Sequence, residues 1–130
     1  MTPDQPNHCP FCDELASGEA LRTTRFSAVL RDNYPLAPGH LLVVPLRHVA
    51  HITSLSATER ADLWALVTES LPHASDATIG VNDGPSAGQT VPHVHVHVIP
   101  RTHGDVPDPR GGIRNVFPSS VAHYWQESPA

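Results

Sequence analysis

The residues of this chain that are best suited to catalysis or metal binding are histidines, and three of them fall within five positions. The chain has 10 histidines among 130 residues, and His93, His95 and His97 alternate with valines. Side chains alternate between the two faces of a β-strand, so the three imidazoles point one way and the valines point into the core. Imidazole is substantially neutral at pH 7 and serves as nucleophile, proton donor or metal ligand. The pattern therefore predicts a chemical site on one face of a strand.

The same histidine pattern is consistent with two alternatives. A half-exposed strand can carry a histidine on its polar face without any function, although three in register make this alternative weak. A His-x-His pair on a strand can also present two ligands to one metal ion. The segment GQTVPHVHVHVIPR contains no Asp or Glu. This absence argues against a hydrolytic metal site, but it does not exclude ligands from distant parts of the chain.

The only two cysteines, Cys9 and Cys12, are separated by two residues. A disulfide between them would close a very small loop and would stabilise little. The pair is therefore either redox-active or metal-binding.

Composition restricts the class of function. The formal net charge at pH 7 is −5, which gives no general attraction to nucleic acid or to anionic membranes. All eight basic residues are arginine, so a P-loop, which needs a lysine, is excluded. No stretch is long and apolar enough to span a bilayer, and the N-terminus lacks the features of a signal peptide. We expect a single-domain cytoplasmic protein with neither nucleic acid nor membrane as a partner.

The elements that must position the histidines are short strands and one long helix. The capping box of Ser56 and Glu59 begins a helix that continues to Pro72. The other elements predicted by periodicity are a short helix over 12–16 and strands over 26–31, 40–44, 77–81 and 92–99, with a turn at 33–39 and a glycine-bearing loop at 82–89. Strands grouped in meanders around one helix favour an α+β domain with an antiparallel sheet.

The segment GQTVPHVHVHVIPR resembles the signature of the histidine triad family, and YPLAPGHLLVVPLRH upstream of it supports the likeness. The resemblance covers about residues 9–101. NDGPSAGQTVPHVHVHVIPR is closest to the fragile histidine triad branch, and CPFC is similar to small bacterial members. The resemblance implies a five-stranded antiparallel sheet with two helices, paired into a homodimer with one continuous sheet. It also implies a single domain over 1–130, with a loop and tail over 102–130.

The family resemblance implies a purine nucleotide substrate and a hydrolase or transferase that cleaves at the α-phosphate of a dinucleoside polyphosphate. His95 would be the nucleophile that forms a nucleotidyl-histidine, and His97 and His40 would donate to the phosphoryl oxygens. No metal is required in that step. An adenosine phosphoramidate is an alternative substrate, and a nucleotide-binding sensor with slow turnover is an alternative function.

Substrate-binding residues are expected around the triad. By the family pattern, Asp32 accepts from the ribose hydroxyls and Asn82 contacts the substrate near the scissile bond. Gln89 and Thr90, just before the triad strand, offer an amide and a hydroxyl, and Gly88 lets main-chain N–H groups approach a phosphate closely.

A further candidate lies in the loop GDVPDPRGGIR. Arg110 is flanked by proline and two glycines, so the backbone can bend while the guanidinium is presented as a bidentate phosphate donor. We expect this arginine to close over the distal part of the substrate.

Resemblance to bacterial members with the same cysteine pair implies a structural zinc ion. Its closed set of four ligands would be Cys9, Cys12, His48 and His93. His8 and His51 are the nearest rival ligands.

Overall fold

The computed structural model describes residues 9–117; His8 and the tail from residue 118 lie outside the described residues. The described chain forms two α-helices and one five-stranded sheet. The elements are α1 (Pro10–Ala16), β1 (Arg22–Thr23), β2 (Ser27–Arg31), β3 (Leu41–Pro45), α2 (Ala57–Glu69), β4 (Asp76–Gly80) and β5 (Val96–Arg101). All strand pairs are antiparallel, in the order β1-β2-β3-β5-β4. The predicted α+β architecture is confirmed. Neither helix has the length and apolar composition needed to cross a membrane.

The sheet separates two apolar clusters. One contains the buried residues of α2 and the strand residues that face it: Val29, Val43, Leu63, Leu66, Val67, Val96 and Val98. The other contains Cys9, Phe11, Ala28, Leu30, Leu42 and Val44, on the side of α1. His97 is the register partner of Leu42, and directly opposed residues share a face of the sheet. The triad face of β5 is therefore the face covered by α1.

The strand that carries the triad begins later than its sequence pattern indicates. Strict alternation predicts a strand from Pro92, whereas β5 begins at Val96. Proline has no N–H to donate to a ladder, and the N–H of His93 bonds to Val91 O at 2.8 Å in a tight turn. Val94 N–H instead bonds to Val49 O at 2.8 Å. His93 and His95 therefore lie in an irregular approach to the strand, and only His97 lies within it.

The two helices begin where capping chemistry allows. α2 begins with the predicted capping box, in which Ser56 and Glu59 each bond to the other's main-chain N–H. α1 begins two residues earlier than predicted because Cys9 is its N-cap and Pro10 its first residue, the position where proline is favoured. β1, a two-residue edge strand, was not predicted because so short a segment carries no periodicity.

Candidate active site and metal centre

A cavity of about 410 Å³ lies between α1, the end of β2, the glycine-bearing loop and the triad. Six of the predicted site residues line it: Asp32, Asn82, Gly88, Thr90, His95 and His97. Its other lining residues include three apolar side chains: Phe11, Leu42 and Val91. The cavity thus combines an apolar wall with a cluster of polar groups, which is the usual composition of a small-molecule site.

His95 lines the cavity although the residue is only 6% exposed. Its Nδ1 lies 2.8 Å from the main-chain oxygen of His93. A carbonyl oxygen only accepts, so Nδ1 of the neutral ring carries the proton and Nε2 carries a lone pair. No residue among 9–117 hydrogen-bonds to that Nε2. His95 thus has the tautomer that a nucleophile needs.

His40 and His97 form a directed hydrogen-bonded pair. The main-chain N–H of Leu36 donates to His40 Nδ1 at 3.1 Å, so the proton of the neutral His40 ring is on Nε2. That Nε2 lies 2.9 Å from His97 Nδ1 and donates to it. The proton of His97 is then on its own Nε2, so this ring offers a donor to the cavity that it lines. His40 is 3% exposed and lies behind His97, outside the cavity lining.

Asp32, the residue after β2, faces this pair as well as the cavity. Its Oδ2 lies 3.4 Å from His40 Nε2 and 3.7 Å from His97 Nδ1. Its Oδ1 accepts from the N–H of Tyr34 at 2.7 Å. Burial lowers the pKa of His97, and neighbouring His95 and His40 lower it further, whereas the Asp32 carboxylate raises it.

The loop that precedes the triad is held by the side chain of Gln89. Its Oε1 accepts from Gly84 N–H at 2.7 Å, and its Nε2 donates to Ala50 O at 2.9 Å and Val91 O at 3.0 Å. Gln89 does not line the cavity. With both amide groups engaged by the main chain, it fixes the loop so that Gly88 and Thr90 face the cavity.

Gly88 ends the loop's short 3₁₀ turn with a φ of +92°, a conformation that favours glycine. A Cβ at this position would meet the Asn82 side chain at 3.9 Å, which is an ordinary van der Waals contact. The main-chain conformation, and not the space beside Asn82, therefore favours glycine here.

Arg110 does not lie in the cavity lining. Its Nε and Nη2 donate to the two carboxylate oxygens of Asp108, at 3.0 Å and 3.1 Å, and both side chains are half exposed. In this arrangement the guanidinium is engaged by its own loop.

A second cluster brings together all four predicted metal ligands. Cys9, Cys12, His48 and His93 each offer one ligand atom, and these atoms lie within 4.8 Å of one another. Cys12 Sγ lies 3.3 Å from His48 Nδ1, Cys9 Sγ lies 3.5 Å from His93 Nδ1, and the two Nδ1 atoms are 3.2 Å apart. A tetrahedral zinc ion with ordinary bond lengths separates its ligands by about 3.3 to 3.8 Å. The three measured separations are close to that range.

The protonation of His93 also suits a ligand. Its Nε2 lies 2.8 Å from Pro45 O, so the proton is on Nε2 and the lone pair on Nδ1 points into the cluster. Burial lowers the pKa of His93 to about 4. Burial, followed by the hydrogen bond and the charge of Cys9, raises the pKa of the Cys12 thiol to about 11, because a buried thiolate loses hydration and lies beside a second thiol group. His51 lies elsewhere, 3.7 Å from Asp83.

Phe11, which the sequence analysis did not single out, lies between the candidate metal site and the cavity. Its ring contacts those of His93 and His95, with centroids 5.8 Å and 4.9 Å away. Its position between Cys9 and Cys12 could have predicted this contact, because both cysteines were expected to lie next to His93. Tyr34, another missed lining residue, is 88% exposed, and nothing in the sequence distinguished it from an ordinary turn residue.

Known proteins resemble this chain in sequence and fold. The HIT domain family model matches residues 18–104. The bifunctional bis(5'-adenosyl)-triphosphatase/adenylylsulfatase FHIT of Arabidopsis thaliana is 43% identical over 93 residues, covering 67% of this chain and 52% of the relative. The asymmetrical bis(5'-nucleosyl)-tetraphosphatase of Schizosaccharomyces pombe is 44% identical over 106 residues, covering 77% of this chain and 58% of the relative. The chain therefore spans just over half the length of these curated relatives.

Among solved structures, a zinc-bound histidine triad family protein from Mycobacterium smegmatis superposes with a TM-score of 0.63 at 30% identity. The superposition covers 77% of this chain and 84% of that one. The fold of the described chain is thus shared with a protein of this family that carries zinc.

Proposed function

Because this chain belongs to the histidine triad (HIT) family, we propose that it is a hydrolase that cleaves a dinucleoside polyphosphate at its α-phosphate through a covalent nucleotidyl-histidine. One observation carries this proposal: His95 lines the cavity with its Nδ1 proton held by a carbonyl 2.8 Å away, and its Nε2 has no hydrogen-bond partner among residues 9–117. A fixed tautomer removes the need to reorganise the nucleophile during attack.

The reaction has two steps. The His95 Nε2 lone pair attacks the α-phosphorus, and the bond from phosphorus to the bridging oxygen breaks with its electron pair leaving on that oxygen. Water then attacks the phosphorus and releases His95 and a nucleoside monophosphate. Negative charge accumulates on the phosphoryl oxygens in both steps, and the N–H donor on His97 Nε2 stabilises the first transition state. His40 acts through His97, because it fixes the tautomer of that ring.

The cavity has groups for each remaining part of a nucleotide. Phe11, Leu42 and Val91 form the apolar wall that a purine base requires. Asp32 accepts from the ribose hydroxyls. Asn82, Thr90 and the main chain at Gly88 contact the phosphates, while Gln89 holds their loop in position.

The substrate class follows the relatives. The two similar curated proteins are named for hydrolysis of a dinucleoside triphosphate and a dinucleoside tetraphosphate. A polyphosphate therefore ranks above an adenosine phosphoramidate as the preferred substrate.

The test is a turnover assay with diadenosine triphosphate, diadenosine tetraphosphate and adenosine phosphoramidate at equal concentrations. We expect both polyphosphates to be cleaved with AMP as one product, and the phosphoramidate to give a lower kcat/KM. Preference for the phosphoramidate would redirect the assignment to that substrate. Tight binding of AMP without turnover of any of the three would contradict the hydrolase function.

We also propose that Cys9, Cys12, His48 and His93 hold a structural zinc ion. The ligand spacing and the Nδ1 lone pair of His93 support it. A zinc ion held by these four residues would form a closed four-ligand crosslink and would leave no open position for a substrate. It would tie the start of α1 to the approach of β5.

We propose further that the protein is a homodimer whose sheet continues through β4. This strand is an edge of the sheet, and its Ile79 is 40% exposed. Open edge strands pair readily with a second copy. Sedimentation analysis should give the mass of two chains, and Ile79→Lys should shift that mass toward one.

A further inference from the structure

Asp32, His40 and His97 form a three-residue cluster beside the proposed nucleophile. The three atoms that meet are Asp32 Oδ2, His40 Nε2 and His97 Nδ1, at separations of 2.9 Å, 3.4 Å and 3.7 Å. Two histidines and a carboxylate at such spacing suit either a divalent metal ion or a shared proton. The exposed fractions of the His40, Asp32 and His97 side chains are 1%, 14% and 26%, so water does not fully solvate whichever charge is held there.

A main-chain hydrogen bond to His40 distinguishes between metal binding and proton sharing. A metal at the centre of the cluster needs the lone pair of His40 Nε2. The N–H of Leu36 already donates to His40 Nδ1, so the proton of this ring is on Nε2 and its lone pair is not available to a metal. His93 shows the opposite arrangement, because its Nε2 donates to Pro45 O and leaves Nδ1 free. The Asp32 cluster is therefore built around protons.

The carboxylate matters when this pair gains a second proton. In the neutral pair, His40 Nε2–H donates to His97 Nδ1. If His97 becomes an imidazolium, its Nδ1 also carries a proton, and two N–H groups then face each other. Asp32 Oδ2 is within about half an ångström of hydrogen-bonding distance of both nitrogens. It can accept from either nitrogen and offset the added positive charge.

We propose that Asp32 is a positioning residue that maintains the protonated His40–His97 pair, so that His97 Nε2 delivers a proton to the leaving group. This inference rests on the proposed hydrolase function. The same carboxylate can still accept from the ribose, because its two oxygens together have about four acceptor sites. Asp32 thus couples recognition of the sugar to departure of the leaving group.

The proton balance closes over the two steps. As the His95 Nε2–phosphorus bond forms, the bond from phosphorus to the leaving atom breaks and its electron pair moves to that atom. His97 Nε2 gives its proton to the same atom and becomes neutral. The attacking water then returns one proton to His97 as its oxygen bonds to phosphorus, and the phosphorus–nitrogen electron pair returns to His95.

The charged and titratable groups nearest to His97 lie at the ends of three strands. Asp32 follows β2, His40 precedes β3, and His95 lies before β5 with its ring centroid 5.3 Å from that of His97. From α1, Glu14 accepts from Asn33 Nδ2 at 3.2 Å rather than contacting the pair directly. Among these neighbours Asp32 opposes the effect of burial on the pKa of His97, while His95 and His40 reinforce it.

The experiment compares two adenosine 5'-phosphoryl substrates that differ in how much their leaving atom needs a proton. One carries p-nitrophenolate, a weakly basic leaving group, and the other an alkylamine, a strongly basic one. Wild type and Asp32→Asn are assayed on both, and again on the 2'-deoxy forms to reduce the ribose contact. Asparagine keeps an acceptor for the Tyr34 N–H, so the turn is preserved; thermal melting checks this.

We expect Asp32→Asn to lower kcat for the amine substrate by roughly tenfold more than for the nitrophenyl substrate, in both sugar series. Loss of the carboxylate also makes His97 easier to deprotonate, so the alkaline limb of the amine profile moves to lower pH. The histidine ¹⁵N signals of His97, followed by NMR, should show the same shift without any turnover.

Equal losses of kcat on the two substrates in Asp32→Asn, with an unchanged pH profile and an unchanged ¹⁵N titration of His97, would show that Asp32 only contacts the ribose and would overturn the inference. Wild type that cleaves neither substrate would overturn the proposed hydrolase itself, and this inference with it. The two failures are distinguished by the wild-type rates alone.

Discussion

The Phe11 ring lies edge-on to the His95 ring, with centroids 4.9 Å apart and planes at 64°. Phe11 is 7% exposed and belongs to α1, whose cap is Cys9 and whose third residue is Cys12. One helical turn therefore supplies two thiols of the candidate zinc site and one wall beside the candidate nucleophile. An ordered CPFC segment is expected to limit the motion of the His95 ring.

Phe11→Leu should lower kcat/KM for diadenosine triphosphate while the zinc content stays at the wild-type level. Aromatic pairs contribute about 0.5 to 1.5 kcal/mol beyond their buried area, which corresponds to a loss of roughly 2- to 12-fold. Phe11→Tyr keeps the ring and is the matched control. A leucine variant as active as wild type would show that the ring contact does not orient His95.

His95→Ala should abolish turnover but retain AMP binding, since it removes the nucleophile and leaves the base, ribose and most phosphate contacts. We expect a loss on the order of 10³-fold or more. His73→Ala, an exposed histidine outside the cavity lining, is the control and should behave as wild type. A variant that keeps a tenth of the wild-type rate would contradict nucleophilic catalysis by His95.

Trapping the intermediate tests the same mechanism directly. Rapid quenching with α-labelled substrate should give label on the wild-type protein that is labile in acid and stable in base. The label should be absent from His95→Ala. Label that survives in the variant would identify another nucleophile.

Local signals predicted much of this fold because they are set by neighbouring residues. The Ser56 and Glu59 capping box begins α2 in the structure as it does in the sequence pattern. The aliphatic run after His40 forms β3 within one residue of its predicted bounds. Alternation failed only at Pro92 to His95, where the tertiary bond from Val94 N–H to Val49 O replaces strand pairing.

The site was predictable in its residue types and less so in its contacts. The family resemblance and the cysteine spacing indicated Cys9, Cys12 and His48 as metal ligands. Cys12 and His48 are 36 residues apart in sequence, yet all three residues meet in one cluster. The engagement of Gln89 by Ala50 O depends on a loop 39 residues away, and no local pattern encodes it. The Asp108 partner of Arg110 was close in sequence, but no local pattern predicted that the two side chains would pair.

Metal analysis should find about one zinc per chain, and Cys9→Ser or Cys12→Ser should lose it. His51→Ala, at the rival histidine outside the cluster, should keep it. Because a closed site stabilises the folded state, chelation should lower Tm more than it lowers initial turnover. Metal-free protein with unchanged Tm but with activity that returns only on adding zinc would make the ion catalytic and would contradict the structural role.

Arg110→Ala tests the loop that was expected to close over the substrate. Since its guanidinium is held by Asp108 outside the cavity lining, we expect kcat/KM to change by less than about twofold for both diadenosine tetraphosphate and adenosine phosphoramidate. Asp108→Asn, which weakens the pair, is the companion variant. A loss in Arg110→Ala that is confined to the tetraphosphate would instead support closure of this arginine over the distal phosphates.

The last prediction concerns acid stability, which should depend on Glu59. Its carboxylate accepts from Arg47 Nη2 at 2.7 Å and Nε at 3.0 Å and from the Ser56 N–H at 2.9 Å. The Arg47 hydrogen bonds come first among the causes that lower the pKa of Glu59 from 4.5 to about 2. A folded-state pKa below the unfolded one stabilises the protein above the unfolded value, and that stabilisation is lost as pH falls through the folded value.

Glu59→Gln should therefore lower the free energy of unfolding at pH 7, with a difference from wild type that shrinks as pH falls from about 4.5 to about 2. Urea titrations at several pH values measure this. Glu69→Gln is the matched control on the same helix, because the Glu69 pair with Arg22 is half exposed and should contribute less than about 1 kcal/mol. A Glu59→Gln difference that stays constant across this range would mean that the carboxylate stabilises α2 through hydrogen bonding rather than through its charge.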